Sequence, residues 1–189
     1  EAYAKRRGLK TNMSEWINAT ADTLIEDLTV GNVSSWQKWA VADRKEAGRT
    51  NPQAFYYGAD LADPANPVIR MAPNTAHLSA YFRHVRLGAV RIAARSSAAA
   101  WQPVAFVNTD GNFVVVIKTG IRTGSNTVTL AGLRPGPYGV RNISYGERVT
   151  DHPDVVAAAD GRVMLTIDEG FTTLYGKGAP SPAKAGSVK

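Results

Sequence analysis

The chain has 189 residues, 44% of them hydrophobic, with no cysteine and a net charge of +6. That is enough chain for one good core with a smaller appendage, and the absence of cysteine excludes disulfides and thiolate metal sites. No run of about 18 apolar residues is present to form a membrane-spanning helix. The cations are dispersed, densest at Lys5-Arg6-Arg7 and at Arg83, Arg86, Arg91 and Arg95. No nucleic-acid motif accompanies them, so the charge implies a solvated basic surface rather than a nucleic-acid partner.

The opening EAYAKRRGLK lacks the apolar core and small-residue cleavage site of a signal peptide. Glu1 in place of an initiator Met predicts a chain processed, trimmed or cut from something longer. Ala2 to Arg7 reads as a helix end, with Gly8 just past it. Leu9 to Glu15 reads as a short extended run ending at Trp16. Ala21, Leu24, Ile25 and Leu28 then fall at helical spacing on one apolar face; Asn18 or Thr20 can cap this helix and Gly31 can stop it. Val33 to Val41, carrying Trp36 and Trp39, is a second extended run. Strand–helix–strand order implies a parallel pair. Residues 43 to 72 read as a long connection, punctuated by Asn51-Pro52 and Asp63-Pro64. Asn74 caps a second helix, with Leu78, Tyr81, Phe82 and Val85 on one face.

From Gly88 the pattern turns to β. Ala89 to Ala94, Val104 to Asn108, Phe113 to Lys118, Asn126 to Leu130, Tyr138 to Ser144, Arg162 to Ile167 and Phe171 to Tyr175 are strand candidates. The firmest is VAFVNTDGNFVVVIK, where Asp110-Gly111 between two β-rich runs predicts a tight hairpin; Asp160-Gly161 starts another strand. Short strands at this spacing suggest an antiparallel sandwich. The expected fold is therefore mainly β, a sandwich preceded by an α/β segment, α+β taken as a whole. Residues 177–189, rich in Gly, Ala, Pro, Ser and Lys, read as a tail or linker.

Three stretches resemble a known family. NMSEW (Asn12 to Trp16) resembles the W-x-[ST]-E segment closing barrel strand 7 of family 30 glycoside hydrolases, a group that includes glucosylceramidases and endo-glycanases. NVSSWQKWAVAD resembles the following strand 8, with Trp39 at a family Trp. YFRHVRLGAVRIAA and VAFVNTDGNFVVVI resemble the helix-to-strand join and hairpin of its side sandwich. The chain departs from the pattern at Leu87, where the family has Pro, and at Asn12, where it prefers an aromatic. The resemblance implies the C-terminal portion of such an enzyme: residues 1–72 as the last strands of a (β/α)8 barrel, 73–176 as the β-sandwich with a leading helix. It further implies a retaining hydrolase of β-glycosidic bonds, with a secreted bacterial parent protein. Glu15 would be the nucleophile, Trp16, Trp36 and Trp39 sugar-binding surfaces, and no cofactor or metal is implied. The family's acid/base, on barrel strand 4, has no counterpart here.

A retaining glycosidase needs two carboxyls about 5–5.5 Å apart, and the end of a barrel strand is where one belongs. Read from its position alone, without the family, Glu15 is sooner a solvated carboxylate at a strand end than a nucleophile. Glu26, Asp43, Glu46 and Asp60 stand in no motif and read as surface charges. His77, His84 and His152 lack metal-ligand spacing, and the first two read as partly exposed helix residues. Asp151-His152-Pro153-Asp154 reads as a turn. GLRPGPYG lacks the Lys-Ser/Thr of a phosphate loop, and no G-x-S-x-G elbow is present. The sequons at Asn18, Asn32 and Asn142 matter only on a eukaryotic secretory route. The partners implied are a polysaccharide or glycoside and either a missing barrel half or a second copy joined at open sheet edges, with no membrane. A non-catalytic sandwich that supports a barrel or binds carbohydrate is the competing reading.

Overall fold

Strand β1 (Asn12–Trp16) runs parallel to β2 (Ser35–Lys38), and helix α1 (Ala21–Thr29) carries the chain between them. The computed structural model describes residues 6–16, 19–44, 54–120 and 124–178. The chain folds as two units, Glu1–Leu78 and Ser79–Lys189. Among the described residues no helix is long and apolar enough to cross a membrane.

In the first unit, Thr20 starts α1 as expected: its hydroxyl accepts from the Thr23 amide, and Thr23 returns a bond to the Thr20 amide. Such reciprocal capping satisfies two otherwise orphaned groups. Ala21, Leu24 and Ile25 are buried. The chain then leaves the helix with Asn32, rather than Gly31, in the left-handed region at φ 49; Asn tolerates that conformation better than most residues. The extended run expected over Val33 to Val41 is two strands. It breaks at Trp39, after which β3 (Ala40–Arg44) joins a different sheet, ordered β3-β4-β5.

Residues 43 to 72, expected to be a long connection with turns, contain strands. They hold β4 (Ala54–Asp60), parallel to β3, and β5 (Val68–Met71), antiparallel to β4. The aromatic run Phe55-Tyr56-Tyr57 and the β-branched Val68-Ile69 carry these strands. Asp63 makes the turn between them by accepting from the Ala65 amide and the Asn66 side chain. Asn51-Pro52 lies outside the described residues. Helix α2 (Thr75–Phe82) follows, tied to β4 where the Phe55 carbonyl accepts from the Ala72 amide and the Thr75 hydroxyl. Its burial is not one-sided. Thr75, Ala76, His77, Leu78, Ala80 and Tyr81 are all buried while Phe82 is exposed. The single apolar face expected to include Phe82 is thus corrected, as is the exposed setting expected for His77.

The second unit is the antiparallel sandwich. One sheet has the order β11-β10-β13-β8-β7-β6 and the other pairs β12 with β9. The strands are β6 (Val90–Ile92), β7 (Gln102–Val107), β8 (Phe113–Lys118), β9 (Asn126–Leu130), β10 (Gly136–Ile143), β11 (Val149–Ala157), β12 (Val163–Ile167) and β13 (Phe171–Gly176). Val163, Leu165 and Ile167 of β12 point inward and meet Val115, Ile117, Val140 and Leu174 of the larger sheet, the period-two pattern of a half-buried strand. The opposite face of the larger sheet is also covered: the Tyr81 ring stands edge-on to Phe106, and the Thr173 hydroxyl donates to the Ala80 carbonyl.

The Asp110-Gly111 hairpin forms as expected. Gly111, at φ +81, donates to the Asn108 carbonyl, and Asp110 accepts from the Asn112 amide. A left-handed residue at the third loop position is what a hairpin of this length requires.

β11 occupies the segment where a turn is expected from Asp151-His152-Pro153-Asp154. Asp151 to Asp154 lie in its middle, and Pro153 is accommodated for two reasons. β11 is an edge strand, and its register against β10 shifts between Tyr138 and Val140. An edge or a bulge is where a strand tolerates a residue without an amide proton.

The turn from α2 into β6 is held by one side chain. Asn108 is buried; its carbonyl oxygen accepts from the Arg86 amide and its amide nitrogen donates to the His84 carbonyl. Asn108→Ala is expected to lower stability by about 2 kcal/mol, since it orphans two backbone groups at once. Urea unfolding should show a lower midpoint at an unchanged slope.

Candidate functional site

The amino-terminal ends of β1 and β2 are clamped. The Ser34 amide donates to the Thr11 carbonyl at 2.8 Å, and the Ser35 hydroxyl donates to the Asn12 side chain at 2.6 Å. The carboxyl ends are where active sites lie in α/β barrels and open α/β sheets, and three of the candidate residues fall there. Glu15 and Trp16 are the last residues of β1, and Trp39 follows β2 directly.

Strand β2 alternates. Ser35, Gln37 and Trp39 are exposed, Trp39 at 56%, whereas Trp36 is half-buried and Lys38 buried at 7%. The Trp36 indole donates to the Asp27 carboxylate at 2.9 Å, which places the Trp36 side of the strand toward α1. The Lys38 ammonium stands 5.5 Å from the centroid of the Phe55 ring, close enough for a cation–π contribution. Of the tryptophans expected to bind sugar, Trp36 therefore anchors β2 to its helix and Trp39 presents an open face. Glu15 is placed by its backbone: Met13 is in register with Trp36 and Trp16 with Lys38, with an irregularity between them.

The other carboxylates considered from sequence are scattered. Glu26 is exposed on α1, Asp43 lies on β3, and Asp60 accepts from the Ala62 amide at the end of β4. Glu46 lies outside the described residues.

In the second unit, the groups of Asp151-His152-Pro153-Asp154 fasten the edge strand. Asp151 binds Arg141 through two bonds of 2.6 and 2.8 Å, Asp154 binds Lys177 at 2.7 Å, and His152 faces Asp168 at 3.3 Å. The Ser125 hydroxyl donates to the other oxygen of Asp168, so this Ser–Asp–His cluster has the carboxylate in the middle. A serine nucleophile needs the imidazole there, so the arrangement is structural. A recess lined by Phe113, Arg134, Pro135 and Tyr138 has a volume of about 40 Å³, room for water but not for a sugar ring.

His84 stacks on the Tyr175 ring with centroids 3.9 Å apart. Burial, reinforced by the nearby Arg141, Arg83 and Arg86 cations, pushes its pKa down to about 4, with Asp151 pulling the other way. Tyr175 can lie flat because its cross-strand neighbour is Gly139, where a Cβ would fall 2.3 Å from the ring.

No protein-family model and no curated protein matches this sequence. Solved structures do. The catalytic domain of xylanase C, a glycoside hydrolase family 30 enzyme of Talaromyces cellulolyticus, superposes with a TM-score of 0.71 at 16% identity, covering 88% of this chain and 40% of that one. A family 30 subfamily 8 xylanase of Clostridium acetobutylicum gives 0.70 at 14% identity, over 93% of this chain and 44% of that one. SrfJ of Salmonella typhimurium gives 0.58 at 21% identity, over 94% and 37%. The chain thus spans about two fifths of the length of the proteins it matches. It has a glycoside-hydrolase fold of the family 30 kind, as the sequence motifs led one to expect.

The His84 environment gives a pH dependence. Below the ordinary histidine value of 6.5 the unfolded chain takes up a proton that the folded chain refuses until about 4. Stability therefore falls as pH drops through that window and is unaffected by His84 above it. His84→Phe, which keeps the ring stack, is expected to flatten the dependence between pH 6.5 and 4 in denaturant titrations. A slope equal to that of the parent would assign the acid sensitivity elsewhere.

Proposed function

We propose that this chain is the C-terminal part of a retaining glycoside hydrolase acting on a β-linked glycan of the xylan type, with Glu15 as nucleophile. The observation that carries this reading is the position of Glu15. It stands next to last on a strand of a parallel strand–helix–strand unit, in a chain whose fold follows family 30 xylanases over about nine tenths of its length. In this reading residues 1–72 supply the closing strands of a barrel, 73–176 the side sandwich and 177–189 a tail.

The chemistry divides between this chain and the rest of the barrel. The Glu15 carboxylate attacks the anomeric carbon, the bond from that carbon to the glycosidic oxygen breaks, and the departing oxygen takes a proton from an acid outside this chain. A water then gives its proton to that same group and attacks the anomeric carbon, releasing sugar and restoring the Glu15 carboxylate. Trp39, open beside the strand end, offers an apolar face to a sugar ring, with Trp16 next to Glu15 as a second aromatic. Trp36 serves by holding β2 against α1.

The exposure of Trp39 also favours a second reading, in which the chain binds glycan without cleaving it. Dinitrophenyl β-xylosides separate the two, because their leaving group departs without an acid. Glu15→Gln is expected to lower turnover of these substrates by on the order of 10³-fold, and a 2-fluoro analogue should leave a covalent sugar on Glu15. Unchanged turnover removes Glu15 from the reaction. Trp39→Ala is expected to weaken xylo-oligosaccharide binding roughly tenfold, about 1.4 kcal/mol, in calorimetric titrations under either reading.

A further inference from the structure

The side of the β1–β2 pair turned away from α1 is an open row of small polar groups that ends in an indole. On β1, Asn12 and Ser14 are exposed with Met13 half-buried between them. Along β2 and just past its end, Ser35, Gln37 and Trp39 are exposed, while Trp36 is half-buried and Lys38 buried. The 2.6 Å bond from the Ser35 hydroxyl to the Asn12 side chain joins the two exposed rows on one side. The bond from Trp36 to Asp27 sets the helix on the other. Alternation along the strand then carries Gln37 and Trp39 to the open side.

The composition of this side decides what fits it. A sheet face covered by another protein element is aliphatic, as the larger sandwich sheet is with buried Val104, Val114 and Val116. Asn12, Ser14, Ser35 and Gln37 give such an element no apolar surface to bury, and none of them carries a charge to hold an ionic ligand. They present hydroxyl and amide groups, the natural partners of other hydroxyls, next to an indole face suited to the C–H surface of a sugar. One aromatic surface with a few placed polar groups is the make-up of a small-molecule subsite. On this side Gln37 is the polar neighbour of Trp39. Two residues along a strand span about 6.6 Å, so a ring lying on Trp39 brings one of its hydroxyls within reach of the Gln37 amide.

We infer that Gln37 is a specificity-determining residue of the glycan subsite at Trp39: its amide exchanges a hydrogen bond with one hydroxyl of the sugar stacked there, and the subsite takes a neutral pyranose. This rests on the reading of Trp39 as a sugar platform and deepens it by naming the group that tells one sugar from another. An amide both donates and accepts, as a hydroxyl does. A sugar without that hydroxyl therefore forfeits the bond, and so does a chain without the amide.

Calorimetric titration of the full chain with xylotriose tests this. Gln37→Met, close in shape but unable to exchange hydrogen bonds, is expected to weaken binding about fivefold, the net worth of one such bond. Xylotrioses lacking a single hydroxyl supply the second arm. For one of them the parent should bind as weakly as Gln37→Met binds xylotriose, and there the substitution should cost nothing further. A merely structural role would weaken every sugar alike. Cellotriose oxidised to a carboxylate at C6 should bind no tighter than cellotriose itself. Gln37 is exposed, so the variant should keep the parent circular dichroism. Equal affinity of parent and Gln37→Met for xylotriose overturns the role of Gln37, as does an equal loss across all the deoxy sugars. Tighter binding of the oxidised trisaccharide overturns the neutral class. No binding by the parent, or a dimer in sedimentation that Trp39→Ala separates, overturns the subsite and assigns the open side to a second copy. None of these results bears on Glu15 as nucleophile, which stands or falls with Glu15→Gln.

Discussion

The pairing of β1 with β2 is the constraint on which the rest of the molecule depends. Two strands running the same way cannot be joined by a turn, so the chain must travel back over the sheet, and α1 is that return. Parallel pairing also gathers both carboxyl ends at one rim, where Glu15 and Trp16 end β1 and Trp39 follows β2. The opposite rim is closed by Thr11, Ser34, Ser35 and Asn12 bonding to one another. The bond from Trp36 to Asp27 fixes which side of β2 faces the helix. With that side assigned, Trp39 is left open by geometry. Among the described residues this sheet holds two strands, in a chain that spans about two fifths of the length of the enzymes whose fold it shares.

The sandwich is built on another principle. Its larger sheet is buried on both faces at the centre, so Val114 to Ile117 and Phe171 to Leu174 are buried in unbroken runs. The smaller sheet, covered on one side, alternates strictly along β12. Polar groups are used where strands end. Asn108 closes the join after α2, Asn142 bonds Thr172 between β10 and β13, and Thr119 exchanges bonds with Gly170. The recess beside Phe113, Arg134, Pro135 and Tyr138 is too small for a sugar ring.

What could be read from sequence follows the range of the forces involved. The Thr20 cap and the Asp110-Gly111 hairpin depend on neighbours a few residues away, and both were legible. β4, β5 and β11 were not, because their turn-forming residues speak first: Asp63-Pro64 beside one pair of strands and Asp151-His152-Pro153-Asp154 inside the other strand. Pro153 is tolerated only because β11 has an edge to itself and a register shift to absorb it, facts of tertiary structure. The separate duties of Trp36 and Trp39 were equally hidden, since alternation tells two sides apart but does not say which meets the helix. Glu15 stood out only through its motif.

The construction of β11 has a wider consequence. A long outer strand of a six-stranded sheet is an open invitation for a neighbouring molecule to dock backbone to backbone and so begin a fibril. Here the invitation is withdrawn midway: a proline withholds one proton, the displaced register bends the ribbon, and charges engaged by Arg141 and Lys177 flank the spot. The same tetrapeptide that disguises the strand as a loop on paper is what blunts its outer edge.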